Sequence, residues 1–581
     1  DASIDVSINA LLQDVDTSST IELKNIQLAN ISSEWPNYQV KGTMNINGNI
    51  DAARALSTLK IIELNKNIII NAQIKGDWKD NQLAIDVSTD IPGIVEQLAM
   101  TGRIQPQLLT TEDAEAIAAS FTWKKLNLTD VNEKVSDKKD LIDIDTIDAE
   151  TSSQSTPTTF SSKEGVLLIT GNLKNYQFAL DTSLATNLQN QQGELTKGKL
   201  SLKGLGNTKQ LTFENIALSG SAGTLNGQGS ISLQSDLIVA LNLSAKNLNP
   251  AIFSPSWPGD LALELAINTT TAANGSPLIQ ASLNTTGQLR HHPFALKTVA
   301  EFMVDANKNH LLTIDKLLLN SGGSSIAADA IFEANKTLSA NWLVSSNNLE
   351  ELIPNTKGKL NTKGSVGINM PLSKTPTVND LLHAIKTKLT LSASDIAAFN
   401  IKIGTLTTLA DINWQDNKNG DENTLTFNSE KLSYDSFNIE YISAKLNGDP
   451  DKHQLKIDLQ KTKGDIDLQL LGQLVDNANA PEWQFIVESA KVTLFELAPW
   501  YLQNSMGGIL SKSSQMINNH CWLSDAKSND KKAKICLDAN NKSGLSDINF
   551  KLEELSVGYF SVFFPEEISW TDSFINGQGT I

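Results

Sequence analysis

Apolar and polar residues alternate along most of this chain with a period of two. From Asp260 to Ile267, Leu261, Leu263, Leu265 and Ile267 fall on one side of an extended strand, and small or charged residues fall on the other. The same rule groups Leu237, Val239, Leu241 and Leu243, then Ile457 with Leu459, then Ile466, Leu468 and Leu470. Strands with one greasy and one wet side belong to antiparallel sheet, because buried parallel strands are apolar on both sides.

Short punctuators separate the runs: Asn47-Gly48, Lys75-Gly76-Asp77, Asn226-Gly227, Asn447-Gly448-Asp449-Pro450 and Lys463-Gly464-Asp465. Gly in such a context suits hairpin turns that need positive φ, so consecutive strands are expected to pair as a meander. Helical spacing is rare. Thr111 to Ser120 and the stretch from Leu502 to Asn518, where Met506, Ile509, Leu510 and Met516 recur, are expected as short helices; Asn379 to Lys388 fits either state. Residues 130–163 turn polar and rich in Ser, Thr, Asp and Lys, with little to bury, and are expected to form a flexible insertion.

A longer, unevenly spaced repeat also runs through the chain. Leu349-x-x-Leu352-Ile353-Pro354, Leu494-x-x-Leu497-Ala498-Pro499 and Phe560-x-x-Phe563-Phe564-Pro565 share one pattern, and Pro250-x-x-Phe253-Ser254-Pro255 is a degenerate relative. Each follows an alternating run and predicts a short helical turn that caps the sheet, halted by proline.

Composition narrows the function. The 581 residues are 40% hydrophobic, too many for a disordered chain, and contain no apolar run near the ~20 residues that span a bilayer. The formal charge of −18 argues against nucleic acid as a ligand, since neutralising phosphates takes a basic stripe. The chain begins at Asp1 and stops at Ile581 inside an alternating run, as a portion of a longer protein would. Cys521 and Cys536 are its two cysteines. A disulfide closing that loop, and hence an oxidising compartment, is the favoured reading; two separate buried thiols are the alternative.

Groupings that could do chemistry are missing. The six histidines (His291, His292, His310, His383, His453 and His520) show no metal-ligand spacing, and the cysteines lack CxxC. Gly193 to Lys199 matches GxxxxGK, but Leu200 stands where Ser or Thr would bind magnesium and a strand follows instead of a helix. Gly204-Leu205-Gly206 lacks the third glycine of a dinucleotide fingerprint, and the pairs Glu350-Glu351 and Glu566-Glu567 read as solvated charge. Neither catalysis nor a cofactor or metal is expected.

What needs explaining is how so many amphipathic strands hide one face. At ~12 residues per strand and turn there are roughly 40 of them. Separate sandwiches would carry linkers and aromatic cores, whereas the apolar positions here are mostly Leu, Ile, Val and Ala and one strong break is present, near 130–163. The expected fold is therefore all-β: one long, strongly curved, mainly antiparallel sheet forming an elongated U-shaped groove (a β-taco) with an apolar inner face and a few short helices. The expected lining residues are Leu200, Leu202, Leu211, Phe213, Leu225, Ile231 and Leu233, the group Leu237, Val239, Leu241 and Leu243, the group Leu261, Leu263, Leu265 and Ile267, and downstream Ile457, Leu459, Ile466, Leu468 and Leu470. The expected segments are sheet over 1–129, the insertion at 130–163, sheet over 164–500, a short helix and disulfide loop over 501–540, and sheet over 541–581.

With its alternating Leu strands, its ΦxxΦΦP turns, the phrase Gly287 to Leu296 (GQLRHHPFAL), the pair Cys521-Trp522 and Ile535-Cys536-Leu537, and the stretch Leu555 to Gly577 containing Phe563-Phe564-Pro565-Glu566-Glu567-Ile568-Ser569-Trp570, the chain resembles the TamB family, within the AsmA-like group. The resemblance implies a disulfide at Cys521–Cys536 and an internal to C-terminal-half position in a longer protein. It further implies an inner-membrane anchor outside these residues, a location in the periplasm of a Gram-negative bacterium, and a TamA-like outer-membrane barrel as partner of a region outside the chain. The implied activity is passage of phospholipids between inner and outer membranes along the groove. One alternative is a scaffold for unfolded outer-membrane proteins or autotransporters, pairing with them by β-augmentation. Another is a surface adhesin or β-helical passenger.

Overall fold

The computed structural model describes residues 3–6, 17–27, 38–49, 51–63, 68–111, 114–128, 160–189, 195–233, 238–252, 254–272, 275–304, 310–334, 337–369, 378–415, 423–435, 437–461, 464–477, 480–494, 498–511, 514–525, 532–542, 545–557 and 574–580. Two compact units divide the chain, Asp1–His291 and His292–Ile581, so the boundary falls inside the segment 164–500 that the sequence pattern treats as continuous.

The first unit is an antiparallel meander of sixteen strands, from Ser3–Val6 to Pro277–Leu289, in which every strand pairs with the next in sequence. The second begins at His292–Val304 and follows the same rule up to Ala480–Leu494. There the partner strand is interrupted: Trp500–Leu502 and Met506–Leu510 both pair with Ala480–Leu494 on one side and with Ser514–Ser524 on the other. The ladder then continues through Lys534–Lys542 and Leu545–Ser556 to Phe574–Thr580. The all-β antiparallel fold read from period-two alternation is the fold observed.

Turn chemistry explains the joins. Gly48 and Gly448 end strands with φ of 132° and 108°, as Asn47-Gly48 and Asn447-Gly448 predict. Lys75-Gly76-Asp77 and Asn226-Gly227 lie inside strands instead. The first hairpin turns at Asp80 and Asn81, both left-handed. Gly227 keeps its place because a Cβ there would run into Leu243 on the neighbouring strand.

In place of the helix expected over Leu502 to Asn518, the described residues form the end of the strand Trp500–Leu502, the strand Met506–Leu510 and the start of the strand Ser514–Ser524. Gly507-Gly508 weakens a helix, while Met506–Leu510 finds sheet partners in Trp483–Val487 and, from Gly508 on, in Gln515–Ile517. The segment 501–540 therefore contains the disulfide but not the helix. Thr111 to Ser120 likewise leads into the strand Ile117–Leu128, and the ambiguous stretch holds a short helix, Val378–His383, before the strand Ile385–Ala398. Of the insertion, 130–159 lies outside the described residues; Phe160 to Lys163 open the strand Phe160–Gly171. The repeated proline motif forms a 3-10 turn at Pro250–Ile252 and at Leu349–Glu351, with Ala251, Ile252 and Leu349 buried, as expected of a cap. Its other two copies fall wholly or partly outside the described residues.

Bulges recur along both meanders. Asn25, Lys125, Asn247, Asp395 and Glu554 sit where the register of pairing skips, each with φ near 50°. Each inserts an extra residue that bends its strand and strengthens the local twist. In the second unit the bend has a visible consequence. The helix Val378–His383 contacts the strand Gly464–Asn477, and His383 Nε2 lies 3.0 Å from Asp451 Oδ2. Four strands separate those two residues, about 19 Å in a flat ladder. Trp414 Nε1 also donates to the Gly448 carbonyl at 3.0 Å.

Cys521 and Cys536 face each other directly on adjacent strands and are joined as a disulfide. Replacing both with Ser is expected to lower the stability of the second unit by about 3 kcal/mol, the closure entropy of a loop of this size, measured by denaturant unfolding under oxidising conditions. An unshifted midpoint would contradict a structural role. At Lys431, whose backbone is left-handed with φ of 53°, Lys431→Gly is expected to be neutral or to stabilise by up to ~1 kcal/mol, and Lys431→Val to destabilise by more than that, because a left-handed backbone penalises a branched Cβ. Equal melting of the two variants would argue against a left-handed residue at 431.

Candidate functional site

Residues directly opposite each other on neighbouring strands share a face, so the pairing register shows which apolar side chains lie together. Leu202 stands opposite Leu180 and Ile216, Leu200 opposite Leu218, and Leu218 opposite Leu225. Leu211 faces Ile231, which faces Val239; Phe213 faces Gly229, which faces Leu241; and Gly227 faces Leu243. Leu241, Leu243 and Ala245 then meet Ile267, Leu265 and Leu263, and Leu265 meets Leu283. The lining residues predicted between Leu200 and Ile267 therefore occupy one continuous face, with two exceptions. Leu233 lies past the end of its strand and is exposed, and Leu237 falls outside the described residues.

The same face runs back through the first unit: Leu180 to Leu167, Phe121, Met100, Val87, Ile74 and Ser57, and on to Met44 and Ile21. Strands contact their ladder neighbours, and every described strand belongs to one sheet, so there is no separate second sheet to lie across the apolar side. The consequence is a very small sealed core. Twenty hydrophobic residues of the whole described chain are buried, and nine of those are alanines. Most of the leucines and isoleucines on the face are half-buried, Leu261 being buried at 8% exposure. A sandwich would bury such side chains against an opposing sheet.

The second unit is different at one place. Leu470, Phe485, Val487 and Ala490 form a buried cluster, packed against Leu455, Leu468, Trp483, Leu502, Met506 and Trp522. The interrupted strand brings Leu502 and Met506 onto this face. Of the downstream candidates, Ile457, Leu459 and Ile466 remain half-buried on the apolar side, whereas Leu468 and Leu470 belong to closed packing. Leu470 is a core residue.

Aromatic side chains on this face escaped the sequence reading, and glycine explains how the face accommodates them. A Cβ on Gly204 would collide with the Phe178 ring, and one on Gly206 with Tyr176. The missing side chains let both rings lie against the backbone of the next strand. Trp123 over Gly165, Trp342 over Gly364 and Phe485 over Gly508 repeat the arrangement. A glycine two to three dozen residues from an aromatic, at the register of a hairpin, is the signal that would have located these pairs. Gly204-Leu205-Gly206, which resembled half of a nucleotide fingerprint, is such a place.

The apolar face of the first unit carries a cavity of about 370 Å³. Gly198, Gly220 and Gly223, opposite one another on three consecutive strands, leave its floor without side chains. Leu184, Leu218, Leu225, Leu248, Leu261 and Leu263 wall it, and Pro250 and Ile252 of the 3-10 turn close one end. Among the described residues no grouping of three His, Cys, Asp or Glu could hold a metal, and no helix is long and apolar enough to cross a membrane.

The family comparison agrees with this architecture. A family model described as "TamB, N-terminal domain" matches residues 146–581. Comparison with curated proteins gives no match, and neither does comparison with solved structures. A match over three quarters of the chain shows that this chain belongs to the TamB family.

Proposed function

We propose that the apolar face is a path for the acyl chains of phospholipids, and that the chain serves in the periplasm as part of a bridge between inner and outer membranes. TamB family members are associated with lipid transport or outer-membrane assembly. The observation that carries the reading is the uncovered apolar face continuous along the sixteen strands of the first unit, lined by half-buried Leu, Ile and Val.

The physical argument is one of replacement. Burying a methylene is worth ~0.8 kcal/mol, so a two-chain lipid leaving a bilayer unaided faces a cost of tens of kcal/mol. An apolar floor offsets most of it at every position, while the charged head group stays in water at the open side. No bond is made or broken. The lining along the strands 210–289 is nearly uniform in chemistry, and the larger rings are laid flat on glycine, so obstacles and deep wells are few. The opposite face of the same strands carries Lys203, Glu264, Asp260 and other polar groups that keep the sheet in solution.

Leu241→Asp is expected to abolish transfer of a fluorescent phospholipid between donor and acceptor vesicles while shifting unfolding by less than ~2 kcal/mol, since the site already meets solvent. Leu470→Asp, placed in closed packing, is expected to destabilise by more than ~3 kcal/mol. If the two variants unfold alike, the face is a packed core and the reading fails. A photoreactive residue at Leu263 that captures unfolded outer-membrane protein and never phospholipid would favour the assembly scaffold instead.

A further inference from the structure

We infer that the cavity beneath the Pro250–Ile252 turn is a discrete holding site for the end of one linear hydrocarbon chain. The inference rests on the proposed lipid path and adds a fixed station to it.

Three observations carry it. The first is volume. At about 370 Å³ the cavity is more than twice the ~150 Å³ at which an engineered apolar cavity stays dry and takes up benzene, and it falls within the range of small-molecule sites. The second is its construction. Elsewhere in this stretch the glycines of the apolar face, such as Gly204, Gly227 and Gly229, each have Phe, Leu or Ile opposite them on the neighbouring strands. Here three adjacent strands present glycine, and a Cβ on Gly220 would collide with the Lys197 carbonyl, so the floor cannot be filled without moving backbone.

The third is polarity, which decides the kind of occupant. Two polar side chains of the lining, Asn249 and Thr224, are turned to partners within the protein. Asn249 Oδ1 accepts from the amides of Ala251 at 3.1 Å and Gly259 at 3.2 Å, holding the turn over the cavity. Thr224 Oγ1 donates to the Lys246 carbonyl. Ser57 and Ser429, whose buried hydroxyls lack a hydrogen-bond partner, do not line this cavity. A peptide strand would bring one donor and one acceptor per residue and leave them unsatisfied, at a cost of several kcal/mol. A phosphate or sugar head group would fare worse. A methylene chain brings no such groups. The geometry therefore selects an acyl tail over a protein segment, with the head group left outside the Leu218–Leu263 walls.

The test uses the purified chain and three photoreactive probes: a phosphatidylcholine with a diazirine at the end of one acyl chain, the same lipid with the diazirine on its head group, and a free fatty acid with a terminal diazirine. Labelled peptides are mapped by mass spectrometry. Chain-end phospholipid is expected to label the peptides carrying Leu225, Leu248 and Leu263, and the head-group probe to spare them. Ala222→Phe, which adds bulk at the cavity's edge, is expected to cut that labelling by roughly tenfold, the loss of burying about two methylenes, while Ser244→Phe on the polar face leaves it unchanged. If Ala222→Phe fails to fold, Leu263→Phe fills the cavity from the opposite wall. Labelling around Val87 and Met100 with none at the cavity, or cavity labelling that filling does not reduce, would overturn the station and leave the lipid path standing. No labelling on the apolar face by any probe would sink both. Labelling by the fatty acid and not by the phospholipid would support a hydrocarbon site and remove phospholipid as its source.

Discussion

The ladder of backbone hydrogen bonds between successive strands is the interaction on which everything else depends. Each strand satisfies its amides and carbonyls with the strands next to it in sequence, so no long crossover is needed and no second layer is required to complete the pairing. That solves the polar problem of folding and leaves the apolar one open. One side of most strands is largely hydrophobic, and every described strand belongs to a single sheet, so no separate sheet is laid across that side. The alternative to a sealed core is partial shelter: neighbours on the same face, bulges that bend the strands, and proline turns that cover an end.

Partial shelter has an energetic consequence. Side chains that remain half-exposed return only part of the ~25 cal/mol per Å² available from full burial, so the sheet is held mainly by its length and by local pairing. Where the structure needs a firmer hold, it closes. The Leu470–Phe485–Val487–Ala490 cluster and the Cys521–Cys536 disulfide occupy neighbouring strands of the second unit, and both lie around the one interrupted strand of the ladder. In the first unit the same economy runs the other way: a row of glycines removes side chains and leaves a void. Stability and an open apolar surface are in competition, and the chain divides them between places.

Aromatic residues show how a groove-like surface accommodates bulk. Tyr176, Phe178, Trp123 and Trp342 would project far from a sheet of ordinary residues. Paired with glycine on the next strand they lie down, and Phe178 also meets Phe213 edge-on at 5.5 Å. The face keeps its apolar area without obstruction. Polar atoms on it are handled singly, as where Trp123 Nε1 donates to Ser162 Oγ and Ser162 bonds Thr182.

Period-two alternation was enough to read the strands, their antiparallel sense and which leucines share a side, because a side chain's face depends only on its parity along an extended backbone. Leu261, Leu263, Leu265 and Ile267 needed no tertiary information. Hairpins at Gly48 and Gly448 were equally legible, since positive φ is a local property. Residues 502–518 were misread because a helical spacing of Met and Ile is also a possible strand pattern, and pairing with Trp483–Val487 decided between them. Whether Leu470 and Leu241 are core or surface was invisible as well: both alternate correctly, and the difference lies in the side chains, Phe485, Val487, Leu502 and Met506 among them, that pack into the cluster around Leu470. Sequence determined the faces through local geometry; only the tertiary structure decided which part of the apolar face is closed, which is left open and where a cavity forms, because those depend on contacts between residues distant along the chain.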